Sequence, residues 1–256
     1  MEKDSIIIMS TPEDYRSRIY SRYASHFQDS SSAFDIGAAW YWARAYHHYL
    51  KGWLPANKDA NMLDVACGGG KLLYLYQRMG FKNIFGVDIS PEQVQLARQV
   101  TPNVNEANAL NFLDSRSDTY DFISDLDIVE HLHKPEVLRF LDLCYCALKP
   151  DGRLVLQTPN ADSPWGMAVR YGDFTHEAAF NPNSLGRLLA LAGFIDIEVR
   201  EIGPVPFGHS VFSTVRYVIW QIIRAGLKFW NLAETGNAGS GVFTRVFLIT
   251  CVKPQE

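Results

Sequence analysis

Two aspartates and a run of glycines carry the first recognisable chemistry in this chain. Asp64 opens the stretch Asp64-Val65-Ala66-Cys67-Gly68-Gly69-Gly70, and Asp88 follows 20 residues after Gly68. A glycine-rich turn lets a ligand approach the backbone closely, and a carboxylate at the end of the next strand can accept hydrogen bonds from both hydroxyls of a ribose. Two phosphate-binding arrangements fail on the residues. A P-loop needs Ser or Thr after its lysine, but Lys71 is followed by Leu72 and the first glycine is missing. The dinucleotide fingerprint needs a third glycine where Leu73 stands. Asp64 by itself would also suit a helix N-terminus without any ligand, by about 0.3–1 kcal/mol. Cys67 has no base beside it in sequence and reads as a small residue close to the backbone rather than a nucleophile.

These residues need strand ends to hold them, and the surrounding pattern supplies such ends. Between residues 61 and 158, short β-rich runs (NMLDVA, NIFGVD, YDFISDLD, GRLVLQT) alternate with helical periodicity (GKLLYLYQRMG, PEQVQLARQV, PEVLRFLDLCYCALKP). That alternation means βαβ units and a parallel sheet. Ser90-Pro91 predicts a helix N-cap, and Pro150-Asp151-Gly152 predicts the break between a helix at 135–148 and a strand at 152–158. A helix at 184–192 and strands at 194–201 and 241–253 complete the expected sheet. The expected organisation is a helical cap over residues 1–54 and an α/β domain over 55–256. The latter contains a long loop at 159–183 and an insertion at 205–240.

The ordered set, with Asn108-Ala109 after the third strand, YDFISDLDIVEHL at 120–132 and LKPDGRLVL at 148–156, resembles the motifs of class I S-adenosylmethionine-dependent methyltransferases. The resemblance implies a Rossmann-like, doubly wound, mostly parallel seven-stranded sheet with helices on both faces, and S-adenosylmethionine as cofactor with S-adenosylhomocysteine as product. It places Asp64, Ala66, Cys67, Gly68 and Gly70 beside the methionine moiety, Asp88 on the ribose, and Ile89, Asn108 and Ala109 around the adenine. Leu126 joins the cofactor set and Asp127 the catalytic set. Arg44 is a candidate for the cofactor carboxylate, because a guanidinium forks onto such groups, although a solvated helix arginine also accounts for it. Ala66 departs from the family, which most often has glycine there.

Methyl transfer to a hydroxyl also requires loss of a proton, a task suited to histidine. His131 follows the fourth strand. His176 lies in Arg170-Tyr171-Gly172-Asp173-Phe174-Thr175-His176, which resembles ubiquinone-biosynthesis O-methyltransferases and a bacterial group associated with surface-polysaccharide genes. His176 is favoured as base or acceptor-orienting residue, with a structural loop histidine as the competing account; His131 joins the catalytic candidates, although a histidine that orders its loop or touches the cofactor accounts for it as well, and Arg170, Tyr171, Asp173 and Trp165 are the expected acceptor contacts. Glu130, His131 and His176 could also converge on a divalent metal; the preferred reading has none. The expected acceptor is a sugar hydroxyl of a bacterial surface glycan such as lipopolysaccharide, or its precursor. The alternatives are a small phenol or quinone precursor, and a cofactor-binding scaffold without turnover.

Composition narrows the partners. A net charge of −4 gives no global basic field for nucleic acid. The four cysteines form no C-x-x-C pair and read as reduced thiols, and the N-terminal MEKDSIIIMS is too short in apolar residues for a signal-peptide core. A cytoplasmic location follows as an expectation, with peripheral contact at the inner membrane as an option. That option rests on residues 211–232, where Tyr217, Gln221, Arg224, Lys228 and Asn231 form one polar stripe on an otherwise apolar helix. Burial of the apolar side in protein or a dimer face is the competing expectation. The six tryptophans, at 40, 42, 53, 165, 220 and 230, all avoid the central sheet region and are expected to wall the acceptor side.

Overall fold

The computed structural model describes residues 14–20, 33–207 and 209–255. Residues 1–13 and 21–32 of the expected cap, including the apolar N-terminal run, lie outside the described residues. Seven strands form one sheet in the order β3-β2-β1-β4-β5-β7-β6: β1 (Asn61–Val65), β2 (Asn83–Asp88), β3 (Val104–Glu106), β4 (Tyr120–Leu126), β5 (Leu148–Pro159), β6 (Ile195–Glu201) and β7 (Val246–Val252). All pairings are parallel except those of β7, which runs antiparallel to both β5 and β6. The sheet is therefore the mostly parallel, Rossmann-like arrangement that the family resemblance implies, built on the βαβ units that the alternating pattern predicts.

Helices cover both faces. On one face α2 (Ile36–Tyr49) lays Ala39, Ala43 and Tyr46 against Leu72, Leu75 and Tyr76 of α3 (Lys71–Arg78), over Met62, Phe122 and Val155 of the sheet. Small residues on α2 let the two helices approach closely, and Asp35 caps its start by accepting from the Ala38 amide at 3.0 Å. α4 (Pro91–Ala97) packs Val94 and Ala97 against Leu73 and Val104. On the other face α5 (Ala109–Asp114), α6 (Lys134–Ala147) and α8 (Pro182–Leu191) bury Leu113, Phe140, Leu141, Leu185 and Leu189 against Leu63, Ile123, Leu154 and Phe247. α1 (Asp14–Tyr20) and α7 (Gly166–Arg170) flank the carboxyl edge, and α9 (Val211–Thr235) stands between β6 and β7.

Three local expectations shift. β5 begins at Leu148, so Pro150-Asp151-Gly152 lies within the strand's span, with Asp151 taking the left-handed φ of 61°. The last strand starts at Val246, because residues 242–244 instead serve the loop after β5: Asn160 Nδ2 donates to the Val242 and Thr244 carbonyls. Ser90 occupies the N-cap position of α4, yet its hydroxyl makes no capping bond.

Candidate active site

The carboxyl ends of β1, β2, β4 and β5 open into one cavity of 1450 Å³, bounded by α1, α2 and the loop after β5. Open parallel sheets bind ligands at this edge. Its floor is the turn after β1. Ala66, Gly68 and Gly70 take left-handed φ values of 52°, 50° and 87°, which folds the backbone back so that the Gly68 amide donates to Asp88 Oδ2 at 2.8 Å. Asp88 Oδ1 accepts from the Ser90 amide, also at 2.8 Å. Each carboxylate oxygen thus keeps lone-pair capacity toward the cavity while the backbone fixes its direction. The left-handed conformation at Ala66 explains the family's preference for glycine there, since a Cβ is strained in it by about 1–2 kcal/mol.

Asp64 is buried and accepts from Ser124 Oγ at 2.7 Å. Burial, opposed by that hydrogen bond and reinforced by the nearby Asp88 charge, raises its pKa to about 7. Asp125, fully buried one strand over, is held well above the carboxylate range by burial and by the neighbouring Glu130, Asp127 and Asp64. Beneath the turn the electrostatics favour a positively charged ligand. Burial pushes the Cys67 thiol up, which keeps it from acting as a nucleophile.

Asp64, Ala66, Cys67, Gly68, Asp88, Ile89, Asn108, Ala109, Leu126 and Asp127 all line the cavity. Asn108 Oδ1 is committed to capping α5 through the Leu110 and Asn111 amides, so only its amide nitrogen faces outward as a donor. Gly70 is off the wall: its left-handed backbone packs 3.0 Å from Ala97 Cα, measured from the Cβ a larger residue would add. Arg44 is also outside, stacked over Trp40 and donating to the His209 carbonyl at 3.4 Å.

On the opposite bank, Glu130, His131 and His176 meet, each offering a ligating atom within 4.8 Å of the others. The loop after β5 is fastened there by the Glu177 and Ala178 amides, which donate to the Glu130 carbonyl at 2.7 and 3.0 Å. His176 Nδ1 lies 3.1 Å from the Arg170 carbonyl. A carbonyl can only accept, so Nδ1 carries a proton, and in the neutral ring the lone pair falls on Nε2, 4.0 Å from Glu130 Oε1. His131 Nδ1 lies 2.8 Å from Thr175 Oγ1, whose own proton goes to Asp173 Oδ1 at 2.6 Å. His131 must therefore donate through Nδ1 as well. Burial and the adjacent His176 lower its pKa to about 4, so it is neutral and weakly basic at pH 7.

Asp173 lines the cavity, whereas Arg170, Tyr171 and Trp165 do not. Tyr171 and Trp165 are exposed, and the Arg170 guanidinium turns back to the Glu177 carbonyl. Of the tryptophans only Trp42 reaches the cavity, stacked on Tyr46 at 3.7 Å. Trp53 is buried beneath Arg200, and Trp220 is tied to Glu201. The rest of the cavity wall is instead built largely from residues the sequence pattern does not single out. Tyr46 donates to Gln157 Oε1 at 2.6 Å, and Gln157 Nε2 donates to Asp127 Oδ2 at 2.7 Å. Tyr15, Arg16 and Tyr20 come from α1, with Arg16 held by Glu136 at 2.9 Å and by the His131 carbonyl at 2.8 Å. The partners in these contacts are far apart in sequence, so local pattern carries no signal for them.

Residues 38–199, more than half of the chain, match the family described as "Methyltransferase domain", and the chain belongs to that family. It is an S-adenosylmethionine-dependent methyltransferase. A ubiquinone biosynthesis O-methyltransferase of Cereibacter sphaeroides is 25% identical over 185 residues, covering 64% of this chain and 74% of that protein. Another from the same species is 30% identical over 179 residues, covering 61% and 71%. The fold is similar to an Archaeoglobus fulgidus SAM-dependent methyltransferase, with a TM-score of 0.61, 22% identity, and coverage of 82% of this chain and 94% of that one. A Haemonchus contortus phosphoethanolamine N-methyltransferase solved with S-adenosylmethionine has a TM-score of 0.59 and 19% identity, covering 92% and 60%.

Proposed function

We propose that this chain transfers methyl to a hydroxyl of a small, ring-containing acceptor such as a phenol, with His176 as the base. The tautomer of His176 carries the reading: its proton is held at Nδ1 by the Arg170 carbonyl, leaving the Nε2 lone pair available among cavity residues. In an in-line displacement the acceptor oxygen bonds to the methyl carbon while the carbon–sulfur bond breaks and sulfur keeps the electron pair. The hydroxyl proton passes to His176 Nε2, and the imidazolium so formed faces Glu130. Asp88, the 66–70 turn and Asn108 bind and orient the cofactor; α1 and the loop after β5 exclude water.

The acceptor class draws support from the wall, where Tyr20, Trp42, Tyr46 and Leu132 offer flat or apolar surface, and from the names of the O-methyltransferase relatives. A surface-glycan hydroxyl is the other acceptor class. Of the four expected acceptor contacts only Asp173 lines the cavity, while Arg170, Tyr171 and Trp165 lie outside it; the glycan takes second place because the lining offers flat and apolar surface and the named relatives act in ubiquinone biosynthesis. The test is a panel of catechols, hydroxylated quinone precursors and sugars, read by S-adenosylhomocysteine release. Turnover of sugars alone overturns the acceptor class, and cofactor binding without turnover of any acceptor favours the scaffold reading.

A second reading of the same bank is favoured by the convergence of Glu130, His131 and His176. Two imidazoles held through Nδ1, and a buried carboxylate oxygen of Glu130 without a hydrogen-bond partner among the described residues, suit a divalent cation, with Arg170 and Thr175 as the outer partners that fix the rings. Such an ion would supply acidification of a bound acceptor hydroxyl. Chelation followed by metal add-back separates the readings: activity lost and restored supports the ion, and unchanged turnover leaves His176 as a free base.

A further inference from the structure

The polar stripe of α9 faces the protein. Arg224 Nε donates to the Gly241 carbonyl at 2.9 Å and pairs with Glu201 at 3.2 Å. Trp220 Nε1 donates to the same carboxylate, and Ser213 Oγ reaches the Val205 carbonyl at 2.7 Å. An amphipathic helix on a globular domain ordinarily does the reverse and buries its apolar side. Here Ser213 is the helix's only buried residue among those described, while large apolar side chains point to solvent along its whole length. Val211 is 84% exposed, Phe229 72% and Trp230 70%.

The outward residues form two adjacent stripes. One, through Val211, Val215, Val218, Ile222, Phe229 and Leu232, with Ala225 at the position between Ile222 and Phe229, has the alternating four- and three-residue spacing of a helix-pairing seam. The second runs beside it through Phe212, Ile219, Ile223 and Trp230. In a paired helix those flanking positions are usually charged and set the choice of partner. A second copy seated on the first stripe would leave the other in water. At about 100° per residue the two stripes together span about half the circumference, over a length of about 37 Å. A fluid apolar phase covers that arc; a single partner helix does not.

The apolar surface continues beyond α9. Exposed Phe207 precedes the helix, and exposed Tyr41 on α2 packs against His209 at 5.1 Å. Its border is cationic at this end, with Arg44 reaching the His209 carbonyl and exposed Arg216 close enough to act on Tyr49. Residues 202–233 contain no Asp or Glu. No helix among the described residues is long and apolar enough to cross a membrane, which leaves a helix lying in the interface plane.

We propose that α9 docks this enzyme on an anionic lipid bilayer, with its outward face immersed at the headgroup–acyl boundary and Arg216 at the headgroups. The inference does not depend on the acceptor. It also moves the contact from Arg224 and Lys228, the cations of the inward stripe, to the apolar residues opposite them.

The experiment is vesicle flotation of the full chain with phosphatidylcholine alone and with an equal mixture of phosphatidylcholine and phosphatidylglycerol. Wild type floats with the mixed vesicles. Ile222→Ser with Phe229→Ser lowers the partition coefficient at least tenfold, as does Ile219→Ser with Ile223→Ser. Arg216→Glu lowers binding to the mixed vesicles only. S-adenosylmethionine affinity, measured in parallel, stays at the wild-type value and shows that each variant is folded. Wild type that fails to float, or variants that float equally, overturns the proposal. So does a wild-type dimer in sedimentation equilibrium that the serine variants dissolve while none of the proteins binds vesicles; the occupant is then a second copy.

Discussion

The two banks of the cavity are made in different ways. The bank that we assign to the cofactor consists of strand ends and the tight turns that leave them, and its main hydrogen bonds run backbone to carboxylate, as from the Gly68 and Ser90 amides to Asp88. The bank that we assign to the acceptor is assembled from α1, the α2 face at Tyr46, the turn after β4, Gln157 and the loop at 172–177, joined by side chains across long separations. A bank made of strand ends is fixed as soon as the sheet forms. One made of loops can change its ligand without disturbing the sheet, which suits a fold in which the cofactor is constant and the acceptor varies.

The sharpest way to break this division is at His176. His176→Ala should lower turnover about 10²–10³-fold and leave cofactor affinity unchanged, as measured by product release and calorimetry; a change in affinity instead would mean the banks are not separable. Next in size, Asp88→Ala should weaken cofactor binding about 100-fold, because a charged acceptor of two backbone amides and the ribose is removed. With cofactor at saturation, the pH dependence of turnover should match the wild type.

A third effect is about tenfold. The Asp64 carboxyl is raised to about 7 in the free chain by burial, and a bound sulfonium cation favours its ionised form and lowers that value. Binding therefore releases a proton, and the dissociation constant should fall as pH rises through about 7, then level off. Calorimetry in buffers of different ionisation enthalpy counts the proton, and Asp64→Asn should abolish the dependence. The smallest effect tests stiffness. A Cβ at Gly86 would meet Cys67 Sγ and Leu73 Cδ1, both at 2.9 Å, so Gly86→Ala should cost about 1–3 kcal/mol. For a domain of this size about 1 kcal/mol corresponds to about 2–4 °C in Tm, readable by calorimetric scanning.

How much was legible in the sequence follows the same division. Asp64, the glycine turn and Asp88 are readable because a strand end and its turn are local, and two successive strands place them at one edge. His131 and His176 are readable as candidates, but 45 residues separate them, and only the Thr175 and Arg170 contacts fix which nitrogen each presents. Tyr46, Gln157 and Tyr15 gave no signal, since an aromatic on an amphipathic helix or a glutamine in a strand is ordinary. For α9 the periodicity located the one polar stripe but left open which side meets the protein. That was decided by one carboxylate, Glu201, which binds Arg224, Trp220 and the Phe243 amide together.

The antiparallel β7 has a consequence for the order of assembly. β6 has no neighbour in the sheet except β7, which also closes against β5. The start of the loop after β5 is tied to residues just ahead of β7: Asn160 donates from its backbone to the Arg245 carbonyl at 2.9 Å and from its side chain to Val242 and Thr244. During synthesis, the cofactor edge of β1, β2 and β4 can form while the ribosome is still translating α9. The acceptor loop and β6 must wait for residues 242–252. A nascent chain stalled before them would hold the cofactor floor with an open β5 edge, a species prone to pair with other chains. Emergence of residues 242–252, rather than formation of the first five strands, is then the event that completes the sheet and fixes the loop after β5.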